Sequence, residues 1–155
     1  MKPVKKCGNC DKLRLTKLKE SVIMNEKELR FRQRYANFTK AYAQFQRALA
    51  DYEKLTELEK EGFIQRYEYT FELAWKTLKD YLASQNIPVL YPREVIKAAF
   101  HYELIRDGEL WMDMLEQRNV IAHTYDEVRF QKALVKIKDE YASALAEVYT
   151  ELGAK

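Results

Sequence analysis

The residues best equipped for chemistry lie in one short run, RNVIAHTYDE, at 118–127. It holds Arg118, His123 and Tyr125, with an amide at Asn119 and acids at Asp126 and Glu127. One of the chain's two histidines is here. Arginine is a permanent cation whose planar fork matches phosphate and carboxylate oxygens. Histidine titrates near neutral pH and can both give and take protons there. The pair suits work on an anionic ligand that carries phosphate.

Helical geometry says what would bring them together. On a straight helix, at about 100° per residue, Asn119 and His123 share a face and Arg118 nearly eclipses Tyr125. Arg118 and His123 stand roughly 140° apart on such a helix. They converge only where the helix breaks near His123, or where a second chain brings its own copy. Thr124-Tyr125-Asp126-Glu127 predicts such a break, because it fits a capping box with Thr124 as N-cap and Glu127 at the third helical position. A helix starting there aims unpaired N–H groups at the same spot, a further attraction for phosphate. The plain structural reading is a helix C-terminus at which Arg118 and His123 face free carbonyls. That reading accounts for the histidine and leaves Tyr125 without a role.

The elements that must hold this run read as helices. Phe31, Tyr35, Phe38, Tyr42, Phe45, Leu49 and Tyr52 alternate steps of four and three, one apolar stripe on a long helix. A second stripe comprises Phe63, Tyr67, Phe71, Ala74, Leu78 and Tyr81, widened by Ile64, Trp75 and Leu82, and stopped by Asn86 and Pro88. Pro92 opens a third, shorter helix, RDGE is a turn, and a fourth helix covers about 109–122. Phe130, Leu134, Ile137, Tyr141, Leu145, Val148 and Leu152 line the last. With no strand candidate, and only four glycines and three prolines, the expected fold is all-α. About five helices pack as an antiparallel up-and-down bundle with a four-helix core. The tyrosines fall on the stripes and read as core rather than as platforms for stacked bases.

Residues 1–23 differ in kind, with clustered lysines and no sustained period. They carry seven basic and two acidic residues, against 20 and 22 in the remainder. The positive excess therefore belongs to this segment, and the near-neutral rest argues against sequence-independent nucleic-acid binding through phosphate neutralisation. Met24 precedes an N-cap pattern, Asn25 with Glu28, and is a candidate alternative start. The expected division is a basic extension, 1–23, outside the fold, and a bundle domain, 24–155.

Cys7 and Cys10 form a C-x-x-C, half of a zinc site. A closed tetrahedral site needs four ligands. There is no third cysteine, and His101 and His123 are expected in the helical core, so no metal or cofactor is expected. A zinc site completed by a partner is the minor alternative. No apolar run is long enough to span a bilayer and no secretory signal is evident, so the expected location is the cytoplasm.

Beyond these readings, R-N-V-I-A-H-T-Y resembles the R-x4-H-x-Y signature of HEPN domains, in the HepT branch also called nucleotidyltransferase substrate-binding proteins. RYEYTFELAWKTLKDYL (66–82), YPREVIKAAF (91–100) and DGELWMDMLEQRN (107–119) agree with it in order, and the resemblance covers about 24–152. It implies a helical bundle that forms a homodimer, with the motif in an interface cleft. It also implies a partner, a minimal nucleotidyltransferase, in a two-gene toxin–antitoxin-type module. There the HEPN member is a metal-independent RNase silenced by its partner. Carried over, Arg118 and His123 are catalytic and Tyr125 receives the nucleotidyl group. Asn119, Asp126, Asp113, Glu72 and Lys76 are supporting candidates: Asp113 to orient Arg118, and Glu72 with Lys76 as an i, i+4 pair that is either solvated or lines the cleft. Phe71 and Trp75 beside them read as packing residues.

The alternative is a non-catalytic subunit that binds a nucleotide or substrate for the nucleotidyltransferase. The chain is not expected to be a nucleotidyltransferase itself, since it has no Gly-Ser motif followed by paired aspartates on strands.

Overall fold

The computed structural model of the chain describes residues 8–121 and 126–155, and for 8–11, 24 and 119–121 the backbone alone. Helix α1 (Gly8–Ala50) leads through a 3₁₀ turn (Tyr52–Lys54) into α2 (Glu57–Ser84), followed by α3 (Pro92–His101), α4 (Gly108–Ile121), α5 (Glu127–Lys136) and α6 (Ala142–Gly153). A π-helical segment, Ile137–Tyr141, joins α5 to α6 with helical backbone throughout, so these three pieces form one rod. Five rods and no strand among the described residues make an all-α helical bundle, as the periodicity predicts.

The stripes become the core. Phe31, Phe38 and Phe45 of α1 meet Phe63, Tyr67, Phe71 and Leu78 of α2 and Leu134, Tyr141, Leu145 and Val148 of the last rod, all buried. Burying each large apolar side chain contributes about 1.5–3 kcal/mol, which no surface feature of this chain approaches. Helices α1 and α2 run antiparallel. Phe45 stacks on Phe63 at 5.5 Å, Arg34 pairs with Asp80, and Lys27 reaches Asn86, so residue numbers rise on one helix as they fall on the other. Tyr42 and Tyr149 stack at 4.5 Å and bind α6 to α1. Of the stripe tyrosines, Tyr67 and Tyr141 are buried and Tyr35, Tyr42, Tyr52 and Tyr81 pack half-buried against the core, whereas Tyr69, Tyr91 and Tyr102 lie exposed off the stripes.

Helix ends are set by local chemistry. Thr56 starts α2 with a capping box: its hydroxyl accepts from the Glu59 N–H, and Glu59 reaches back to the Thr56 N–H at 2.8 Å. Asn86, at φ 62, ends α2 in a Schellman turn, with Ile87 N–H donating to the Leu82 carbonyl and Asn86 N–H to that of Ala83. Pro92 opens α3, as expected. Asp107 of the RDGE turn caps α4 by accepting from the Leu110 N–H at 2.9 Å.

Three expectations are corrected. Helix α1 does not start at Asn25 but runs unbroken from Gly8, with residues 12–23 exposed along it. Helix α5 is capped by Asp126, whose Oδ1 accepts from the Val128 N–H at 3.0 Å, and not by Thr124, which lies outside the described residues. The Asp126 carboxylate suits the position because it also complements the positive helix N-terminus. His101 is not a core residue; it is exposed at the end of α3 with its ring edge-on to Tyr102.

The stripe of the last rod takes two four-residue steps in succession, Ile137 to Tyr141 to Leu145. On a straight α-helix each such step drifts by about 40°. The wider π turn at Ile137–Tyr141 absorbs the drift and keeps all three residues buried. No helix among the described residues is long and apolar enough to cross a membrane.

Candidate functional site

Arg118 lies in the last turn of α4, on the seam with α2. Its Nη2 is 3.1 Å from Glu72 Oε2. Glu72 also receives Lys76 Nζ at 2.8 Å and Trp75 Nε1 at 3.0 Å. Glu72 and Lys76 therefore do more than form a solvated pair, because their carboxylate is the anchor of Arg118. Burial pushes the Glu72 carboxyl up, but the hydrogen bonds from Lys76 and Trp75 and the Arg118 charge outweigh it, and the net shift is downward. Trp75 packs in the core as expected and spends its one N–H on this carboxylate.

Glu68, one turn earlier on α2, behaves in the opposite way. Burial raises its carboxyl against the pull of Arg118. Its Oε1 is enclosed with no hydrogen-bond partner among the described residues. Arg118 thus faces one carboxylate that is shared among three donors and one that is poorly solvated.

Asp113 occupies a separate cluster. Its Oδ2 accepts from Lys136 Nζ at 2.7 Å and from Tyr141 Oη at 2.5 Å, tying α4 to the last rod. Burial pushes this carboxyl up, and the donors Lys136, Tyr141 and Gln117 bring it net below its ordinary value. Burial, then the bond to Asp113, raises the Tyr141 phenol, which remains a donor. Tyr67 stacks on Tyr141 at 5.5 Å, with its own Oη enclosed and unpartnered among the described residues. The expected role of Asp113 in orienting Arg118 is not seen. Five residues apart on one helix, the two point about 140° apart, and Glu72 from α2 does the orienting instead.

The other expected residues divide as follows. Asp126 is exposed and engaged as the cap of α5, with Arg129 Nε 3.5 Å from its second oxygen. Asn119 is on α4, its side chain outside the description. His123 and Tyr125 fall between the end of α4 at Ile121 and the start of α5 at Glu127, outside the described residues. Cys7 lies outside as well, and Cys10 is on the first turns of α1. No group of three or more His, Cys, Asp or Glu side chains that could hold a metal is present among the described residues. Glu68, Lys136 and Tyr141 were not singled out from the sequence. Glu68 was legible as the i−4 neighbour of Glu72, whereas Lys136 and Tyr141 needed the packing of α4 on the last rod.

Fold and site define a class: an all-α bundle that presents an arginine, anchored by a carboxylate from a neighbouring helix, at the end of the helix preceding the His-Thr-Tyr run. Residues 33–154 match the family described as nucleotidyltransferase substrate binding protein like, and the chain belongs to it. A relative named probable ribonuclease HepT, from Haemophilus influenzae, is 28% identical over 83 residues, 50% of this chain and 57% of that protein. The aligned part thus spans little more than half the length of that relative. A crystal structure of a protein from Thermus thermophilus superposes with a TM-score of 0.68 at 33% identity, covering 74% of this chain and 98% of the solved one.

Proposed function

We propose that the chain is the RNA-cleaving partner of a minimal nucleotidyltransferase in a two-gene toxin–antitoxin-type module. Arg118 and His123 form its catalytic pair, and Tyr125 is the residue whose nucleotidylation silences it. The observation that carries this reading is the Glu72 anchor. It fixes the Arg118 guanidinium at a half-buried helix end while dividing its own charge among three donors, so the cation keeps charge to offer a phosphate. Membership of the family and a relative named as a probable ribonuclease support the same reading.

The chemistry needs no metal. A base takes the proton of the ribose 2′-OH, the 2′ oxygen attacks phosphorus, and the bond to the 5′ oxygen breaks as an acid protonates it, leaving a 2′,3′-cyclic phosphate. Imidazole serves as base or acid near neutral pH, and Arg118 stabilises the charge on the pentavalent phosphorane. Two copies in a homodimer supply acid and base separately. A nucleotidyl group on the Tyr125 oxygen adds a phosphodiester anion, which competes with the RNA phosphate for Arg118. The protein acts in the cytoplasm, where its RNA substrate is.

The test is RNA cleavage by purified protein in excess chelator, with wild type beside His123→Ala. Cleavage by wild type alone supports the proposal. Equal cleavage by both removes His123 from the mechanism. No cleavage by either, from protein free of modification on Tyr125, favours a non-catalytic subunit that binds nucleotide or substrate for the nucleotidyltransferase.

A further inference from the structure

Helix α1 carries a second apolar stripe that its own bundle does not cover. Leu15, Leu18, Val22 and Leu29 are each 57% exposed. At about 100° per residue they share one side of the helix, roughly 170° around from the buried stripe of Phe31, Phe38 and Phe45. The stripe changes sides near residue 30, where α1 reaches the bundle: Lys27 Nζ donates to Asn86 Oδ1 at 3.2 Å, and Phe31 is buried. No extension of this bundle's packing can therefore cover it. Read from sequence, residues 1–23 showed no period; the continuous helix reveals one that begins there and runs past residue 23.

The spacing is that of a coiled-coil seam, with Leu15, Val22 and Leu29 at a positions and Leu18 and Asn25 at d. Leu13 and Ile23 are exposed off the seam. The flanking e and g positions change sign along it. Lys12, Arg14 and Lys19 border the first half, and Glu26 and Glu28 the second.

We infer that the projecting half of α1 pairs, antiparallel, with the same segment of a second copy of this chain. In an antiparallel pair the basic half of each seam meets the acidic half of the other. In a parallel pair Arg14 would stand against the partner copy's lysine at the position of Lys19, which repels. An anionic lipid surface would attract the first half and repel the second, and four residues make a stripe narrower than an interfacial helix presents. A helix projecting without tertiary contact is marginal in water, and pairing gives this one a partner. The paired residues precede 33–154, the part matched by the family. The contact is therefore distinct from the cleft proposed above, and a chain that uses both builds assemblies larger than a dimer.

Sedimentation velocity of the full chain over a wide concentration range tests this. The wild type is expected to reach twice the mass of Leu18→Glu/Val22→Glu. Reversal by Lys12→Glu/Arg14→Glu/Lys19→Glu weakens association about tenfold or more. Adding Glu26→Lys/Glu28→Lys to that reversal restores it, because the antiparallel pair is complementary again. All these residues lie off the core, so bundle melting is expected to be unchanged and serves as the control. Equal masses for wild type and Leu18→Glu/Val22→Glu overturn the inference, as does failure of the combined charge swap to restore association. Binding of wild type to anionic vesicles with no doubling of mass in solution overturns it too.

Discussion

Arg34 and Arg118 each reach α2 from a neighbouring helix and end on a carboxylate, yet the two sites are built differently. Arg34 donates from Nε to Asp80 Oδ2 at 2.6 Å, and Asp80 is 6% exposed. Arg118 meets Glu72 at 3.1 Å, beside two other donors. The arginines themselves are about equally accessible, at 34% and 38%. What differs is the carboxylate: one is buried and engaged by its arginine, the other is 24% exposed and shared. A closed pair holds helices together, whereas a shared carboxylate orients a cation without neutralising it. Accessibility thus does not separate the two arginines, whereas the state of the partner carboxylate does.

The comparison breaks most visibly at Asp80. Asp80→Ala is expected to cost about 2 kcal/mol, less than a fully buried pair because water reaches Arg34. Urea unfolding measures this, with the proposed RNA cleavage per folded molecule unchanged. Glu72→Gln should do the reverse, with about a tenfold loss of cleavage through misplacement of Arg118 and a stability change under about 1 kcal/mol. If instead stability fell as for Asp80→Ala and cleavage held, Arg118 would be a second structural arginine.

Acid separates the carboxylates by sign. Glu72 and Asp113 are held below their ordinary values, so their stabilising contribution is complete above the unfolded carboxylate range, near pH ~4. It is lost as pH falls through the lowered folded values. Glu68 is raised, so its charge destabilises the fold above the raised value, and protonation relieves this as pH falls through it. Stability measured by denaturant at a series of pH values should therefore rise slightly on acidification before it falls. Glu68→Gln should abolish the rise, with a gain at neutral pH of no more than about 0.5 kcal/mol because the side chain reaches solvent. The smallest effect is expected at Arg93, whose pair with Glu116 is exposed on both sides. Arg93→Ala should stay within about 0.5 kcal/mol of wild type by thermal melting.

Much of this was legible in the chain. Most residues of the stripes on α1, α2 and the last rod are buried and the rest pack half-buried against the core, and Arg118 stood out by its spacing to His123 and Tyr125. Helix starts were less legible, because several short patterns compete and only one is used. Thr56 with Glu59 forms the capping box that was sought at Thr124 with Glu127, and Asn25 with Glu28 lies inside a continuous helix. A capping pattern is a local preference worth about 1 kcal/mol, and packing of the adjoining stripe decides whether the helix ends there.

By itself the sequence determined the helices, their buried faces and the run that carries Arg118, His123 and Tyr125, because i, i+3 and i+4 spacing is a property of the chain alone. Only the tertiary structure decided which carboxylate meets which arginine. Arg34 and Asp80 are 46 residues apart, as are Glu72 and Arg118. Nothing local distinguishes those pairs, and they exist because α1 and α4 bring their cations to different turns of α2. The tertiary structure likewise decided that Asp113 faces Lys136 and Tyr141, and that the first half of α1 turns its leucines away from the bundle. Both depend on the direction in which a side chain leaves its helix relative to the neighbours packed around it.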